Sequence, residues 1–274
     1  MKYTKKVFML EFSMWIIALI FLYPFFFILN NSLKSAGEIS ANTLSLAKQL
    51  SFDNYVRVFE QTKLPLAFTN SVFLTIVIIV LAILLGSMIS FAITQSRSRV
   101  MNMILVLFVS GLMIPGLLKF IPLYQLAFQL NIVNTYLGYS IISAVGNLPL
   151  LVFLYTGFLR SISREVIEAA SIDGASIYRV FFQIVFPLLK PINATAVVIL
   201  AIGVWNDFLG PLLYLQRPSQ VTLVLLVANF KSEYSYDWSS IFPLVVLSIL
   251  PMILAYLFLQ SQIIKGISGG AIKG

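Results

Sequence analysis

The 274-residue chain contains neither cysteine nor histidine. Disulfides are therefore excluded, and the usual ligands of zinc, haem and iron–sulfur clusters are missing, so no metal site is expected. Charge is also scarce: charged residues make up 10% of the chain, and only 10 of them are acidic against 18 basic. No Gly-rich loop ending in Lys-Ser/Thr is present, so the chain carries no phosphate cradle of its own for a nucleotide. An intramembrane hydrolase lacking His and Cys would need a Ser/Lys or Asp/Asp pair, and no such constellation is evident. No catalytic residue and no cofactor are expected.

What fills the space is apolar. Hydrophobic residues make up 59% of the sequence, beyond the range of soluble domains. A bilayer crossing needs roughly 20 mostly apolar residues. Six segments qualify, near 8–29, 70–94, 102–127, 137–158, 192–215 and 241–262. The first follows three lysines, but its length and the lack of a small-residue cleavage site point to a retained span. The expectation is an all-α polytopic membrane protein of one domain, 1–274, with a core of about 66–262 and a C-terminal tail at 263–274.

Charge distribution supplies the topology. With the N-terminus cytoplasmic, Lys2, Lys5, Lys6, Arg97, Arg99, Arg160, Arg164, Arg179, Lys190, Lys265 and Lys273 fall on the cytoplasmic side. Fewer basic residues (Lys34, Lys48, Arg57, Lys63, Arg217 and Lys231) are spread over the longer outer loops. This matches the positive-inside rule and places both termini of a multi-pass protein in the cytoplasm. The basic residues form no clustered face for nucleic acid.

Along the chain, span 1 contains Pro24 and runs into the polar Asn30-Asn31-Ser32. A short amphipathic helix is expected around 52–59 in the first outer loop. Pro115-Gly116, Lys119 and Pro122 interrupt span 3, either as a break in the helical ladder or as a simple kink. The polar island at about 160–191 is the most informative segment. Ser163 can cap a helix with Glu165 in its first turn, and Asp173-Gly174 breaks that helix because Gly accepts positive φ. A second helical stretch, 175–186, is expected to close at Pro187 and Pro191. The result is a helix-turn-helix displayed between spans.

In this loop Glu168, Ala169, Ala170, Asp173, Gly174, Ala175, Phe181, Ile184, Pro187 and Pro191 fall in the spacing of the "EAA" loop, and the chain resembles the maltose-permease-like inner-membrane subunits of carbohydrate ABC importers. The similarity continues through Ile121-Pro-Leu-Tyr124, Asn134-Thr-Tyr-Leu-Gly138, Trp205-Asn-Asp-Phe208 and the tail 265–274. Ser163 departs from the proline common in the family at the loop entrance, a small difference because Ser caps helices well. The resemblance implies a type I importer permease fold: six transmembrane helices with a cytoplasmic coupling helix. It also implies the partners, namely a second homologous permease, two ATPase subunits that bind the ATP, and an extracytoplasmic sugar-binding protein. The cargo would be a mono- or oligosaccharide, and the surroundings membrane lipid of the bacterial cytoplasmic (inner) membrane. Glu168, Ala169, Ala170, Asp173, Gly174 and Ala175 would form the ATPase-coupling site, and the tail would reach the ATPase interface.

Ionisable residues inside spans cost roughly 2.5–3.5 kcal/mol each on insertion scales and become functional candidates. Asp207 stands out beside Asn206 and Trp205. Hydroxyl-binding groups next to an aromatic face suit a sugar path, but helix packing, with Asp207 satisfied by a neighbouring span or the partner subunit, is the preferred reading of the same cluster. Two other readings stay open: a proton-coupled secondary transporter using Asp207 and Lys119, and an ABC importer permease for a non-sugar solute. The tail is too Gly-rich to extend the last helix far.

Overall fold

A computed structural model of the chain describes residues 5–96, 98–233 and 237–271. Arg97 of the basic turn, Lys2, and the last three residues of the tail lie outside these. The described residues are mostly helical, with no strand among them. Four helices are long and apolar enough to cross a membrane, and six crossings result if each of two bent pairs is counted as one. The chain divides into two compact units, one formed by 1–65 and 226–251, the other by 66–225 and 252–274.

The first unit begins with α1 (Lys5–Ser32), which passes through Pro24. Its apolar side chains are exposed along almost the whole length, and near its end Phe27 meets Phe242 edge-on at 5.9 Å. Only its polar end is tied down. Asn30 donates to Ser45 O and accepts from Ala47 N, and Ser32 Oγ shares a 2.7 Å hydrogen bond with Tyr55 OH. Lys34 is fully buried and donates to Asn42 O and Thr43 O, both at 3.1 Å, which closes the loop around α2 (Ala36–Ala41). Burial lowers its pKa, opposed by the Glu38 carboxylate. The amphipathic helix expected near 52–59 is α3 (Asp53–Gln61). Its Asn54 donates to Ser32 O and Lys34 O, and its Arg57 reaches Ser239 Oγ at 2.7 Å and Asp237 at 4.0 Å.

The second unit is built on α4 (Leu64–Gln95), from residue 66 onward, and α7 (Tyr136–Leu159). Small residues let these two helices approach closely. A Cβ on Gly86 would fall 2.9 Å from Leu151 Cβ, and Ser90 Oγ, satisfied by Gly86 O at 2.7 Å, faces Val152 O. Such small-residue contacts are how helices associate where lipid removes the hydrophobic drive. Two left-handed asparagines, Asn131 and Asn134, turn the chain into α7, and Thr135 caps it by accepting from Gly138 N at 3.1 Å.

One open alternative is decided and two expectations change. First, of the break and the kink left open for the segment 102–127, the break holds: α5 (Arg99–Ser110), extended by a 3-10 turn at Gly111–Met113, meets α6 (Gly116–Gln129) at 110°. Pro115 forces the preceding Ile114 into extended geometry, φ −79° and ψ 118°, and the ladder stops there. Pro122, by contrast, sits inside α6 without ending it. Second, Pro187 does not close the loop's second helix. That helix, α9 (Ile177–Leu188), contains a π-helical stretch Val180–Val185 and runs past Pro187 to Leu188. It then bends by 74° into α10 (Lys190–Trp205), with Pro191 in the first turn, where a missing N–H costs nothing. Third, the last helix, α13 (Trp238–Ala271), continues well into the tail despite its glycines. Between α10 and α13 lie α11 (Leu209–Tyr214) and α12 (Leu223–Glu233).

Candidate functional site

The loop between α7 and α10 is built from local rules. Helix α8 (Arg164–Ile172) starts at Ser163, whose Oγ accepts from Glu165 N at 3.3 Å. It stops at Gly174, with φ +78°, and Ala175 N closes back on Ala170 O at 3.1 Å. This six-to-one bond around a left-handed glycine is a Schellman cap, which satisfies carbonyls that the helix end would leave open. Ser176 then caps α9 by accepting from Arg179 N.

One face of the helix-turn-helix is anchored. Ile167 and Ala170 are buried in the same cluster as Leu159, Val180, Phe181 and Phe91, and the Phe91 and Phe181 rings lie 5.4 Å apart. The other face is open: Glu168, Ala169, Asp173 and Gly174 are exposed, and Ala175 is half-buried. Thus the sequence-chosen residues separate, Ala170 facing inward and its neighbours outward. Apolar side chains also lie on the open side, beyond the residues that the motif singles out. Ile172 is 85% exposed and Tyr178 68% exposed, with Val166 and Ile177 also uncovered. Their signal was available, since Ile172 precedes the break and Ile177 follows it, off the buried stripe.

The second candidate, residues 205–207, also divides. Trp205 is buried and meets Phe68 edge-on at 6.5 Å. Asn206 is exposed and caps α10 through its own side chain, donating to Ile202 O at 2.9 Å. It lines a groove of about 320 Å³ together with Val198, Ala201, Ile202, Met252, Ile253, Ala255 and Tyr256. Asp207 turns the other way, at the break between α10 and α11. Its Oδ2 accepts from Tyr139 OH at 2.8 Å, and its Oδ1 accepts from Gly210 N at 3.0 Å. One carboxylate therefore caps α11 and ties the break to α7. Gly210 is the residue that permits this, because a Cβ there would lie 2.7 Å from Tyr139 Cε2 and run into the Asp207 carboxylate. The cavity beside Asp207 holds about 10 Å³, room for a water-sized ligand and far too little for a sugar ring.

The end of the unit remote from the helix-turn-helix is held by a polar lattice. Asn70 Nδ2 donates to Ser219 O and Val221 O, and Tyr136 OH donates to Asn70 Oδ1 at 2.8 Å. Asn134 accepts from Gln216 N, and Gln220 Nε2 donates to Asn134 O. Among the described residues, no group of three or more acidic side chains is placed to hold a metal ion.

Comparison with known proteins accords with this architecture. Residues 78–268 match the family described as the binding-protein-dependent transport system inner membrane component. The chain is 35% identical over 252 residues to the melibiose/raffinose/stachyose import permease protein MelC of Bacillus subtilis, covering 92% of this chain and 91% of MelC. It is 32% identical to a probable starch degradation products transport system permease protein, AmyC of Thermoanaerobacterium thermosulfurigenes, over 94% of both chains. In solved structures the fold is similar to a chain of a bacterial ABC transporter involved in alginate import, with a TM-score of 0.77 and 22% identity over 94% of this chain and 98% of that one. The bent helix pairs, the displayed helix-turn-helix and these matches together place the chain in the binding-protein-dependent transport inner-membrane component family, as a multi-pass permease subunit of an ABC importer with the type I fold.

Proposed function

We propose that the chain is one of two permease subunits of a sugar importer, forming half of the translocation path and receiving the ATPase stroke through the loop 168–191. The observation that carries the coupling role is the exposed face of the helix-turn-helix. Glu168 and Asp173 there sit beside uncovered Ile172 and Tyr178, while Ile167, Ala170 and Phe181 root the same element in the bundle. A surface with an apolar centre and acidic flanks suits a protein groove that offers cations, and its rigid root passes displacement on to α7 and α10. The chain contributes no catalysis; ATP is bound and hydrolysed by two partner subunits, and the second permease completes the cavity. Both termini lie in the cytoplasm, in keeping with the basic-residue asymmetry.

The sugar assignment rests on the relatives, which are named for melibiose, raffinose and stachyose, for starch degradation products, and for arabinooligosaccharides. On the chain itself, Asn206 and Tyr256 on the groove wall supply an amide for hydroxyls and an aromatic ring for the apolar face of a pyranose. The groove lining contains no charged side chain, which favours a neutral cargo. The test is uptake into proteoliposomes that hold the assembled importer and enclosed ATP, with the cognate binding protein outside. Radiolabelled neutral oligosaccharide should accumulate only with both ATP and binding protein present. Accumulation driven by a proton gradient in liposomes of this chain alone would overturn the reading.

A further inference from the structure

We propose that the small cavity at the α10–α11 break is a binding site for a single monovalent cation, sodium by size. Asp207 lies at the break just past the end of α10, and no ion pair forms to it among the described residues, whereas Asp237 has Arg57 at 4.0 Å. Its two oxygens accept one hydrogen bond each, from Tyr139 and Gly210, and a carboxylate has about four acceptor positions. Beside it, the hydroxyl residues Ser71, Thr75 and Thr222 line the cavity.

Thr222 is the independent sign of a ligand. Its side chain is 6% exposed, lines the cavity, and leaves Oγ1 without a hydrogen-bond partner. Ser71 Oγ is fixed in place by accepting from Leu223 N at 2.9 Å. The donor set is all oxygen, which selects a hard ion over a transition metal. It holds one carboxylate, so a single positive charge neutralises it and a divalent ion would leave an uncompensated charge in a small cavity. The volume admits one ion without its water shell. The carbonyl end of α10, which carries partial negative charge, points to the same break, an arrangement that broken membrane helices use for small cations. Bound there, the ion would join α4, α7, the break and the segment entering α12. The site lies apart from the coupling loop, and the inference holds whatever the cargo is.

The test is thermal melting of the complete detergent-solubilised importer in sodium, potassium and N-methylglucamine chlorides at equal ionic strength. Sodium should raise the melting temperature along a saturating curve that the other two do not reproduce. Thr222→Val should shift the sodium midpoint at least tenfold upward, and Asp207→Asn should abolish the response. If Asp207→Asn fails to assemble, Ser71→Ala replaces it and should also weaken sodium binding. Equal curves in the three salts, a midpoint unchanged in Thr222→Val, or a high-resolution map showing water at this position in saturating sodium would overturn the proposal.

Discussion

Replacing Gly174 by valine tests the coupling loop at its most constrained point. Gly174 has φ +78°, and a Cβ added there would meet nothing within 4 Å, so a substitution acts through backbone conformation and not through collision. The left-handed region costs an L-residue about 1–2 kcal/mol, and a β-branched one lies at the costly end. That corresponds to roughly 5–30-fold against the native turn relative to competing conformations. The bond from Ala175 N to Ala170 O, which depends on this turn, weakens with it. Asparagine tolerates the same region, so Gly174→Asn is the matched control. The assay is ATP hydrolysis by the assembled importer, stimulated by loaded binding protein. Stimulation should fall steeply in Gly174→Val and remain near wild type in Gly174→Asn, with unchanged assembly in both. Equal stimulation in the two variants would refute the argument that the left-handed turn positions the coupling surface.

Other expectations follow from particular contacts. Gly210→Ala should lower the melting temperature, as overpacking of about 1–3 kcal/mol does, because its Cβ meets Tyr139 and the Asp207 carboxylate; an unchanged melt would mean that the break is not pinned to α7. Glu168→Lys leaves an exposed site exposed, so the permease should fold and insert normally while uptake and ATPase co-purification fall; normal uptake would remove Glu168 from the docking surface. Burial pushes the Asp237 carboxyl up, but hydrogen bonds from Ser239 and Ser240 and the charge of Arg57 outweigh it and hold the pKa below 3.8. Its stabilisation is therefore complete above 3.8 and lost as the pH falls through the lower folded value, a loss that acid melts of Asp237→Asn should not show.

Much of this architecture is written in apolar run length, because a membrane helix satisfies its own backbone and needs only about 20 apolar residues. The loop was legible for a different reason: Ser163, Gly174 and Ser176 are local signals whose bonds close within a few residues. The breaks were harder. Pro115 and Pro122 look alike in sequence, yet one turns the chain by 110° and the other rides inside a helix. What separates them is the extended Ile114 and the packing around each, which spacing does not encode. Likewise, Trp205, Asn206 and Asp207 read as one polar cluster but face three ways once α10 ends. Tyr139, which receives Asp207, lies 68 residues away, and no local pattern announces it.

The absence of cysteine makes one measurement especially direct. Ile172→Cys places a lone thiol on the most exposed apolar side chain of the loop. In inverted membrane vesicles carrying the whole importer, a short bifunctional maleimide should join this position to the ATPase subunit, with a yield that changes when ATP is added. A thiol at position 172 that forms no such cross-link, or that reacts with an impermeant reagent only from the outer side of intact cells, would contradict the assignment of this loop as the coupling element.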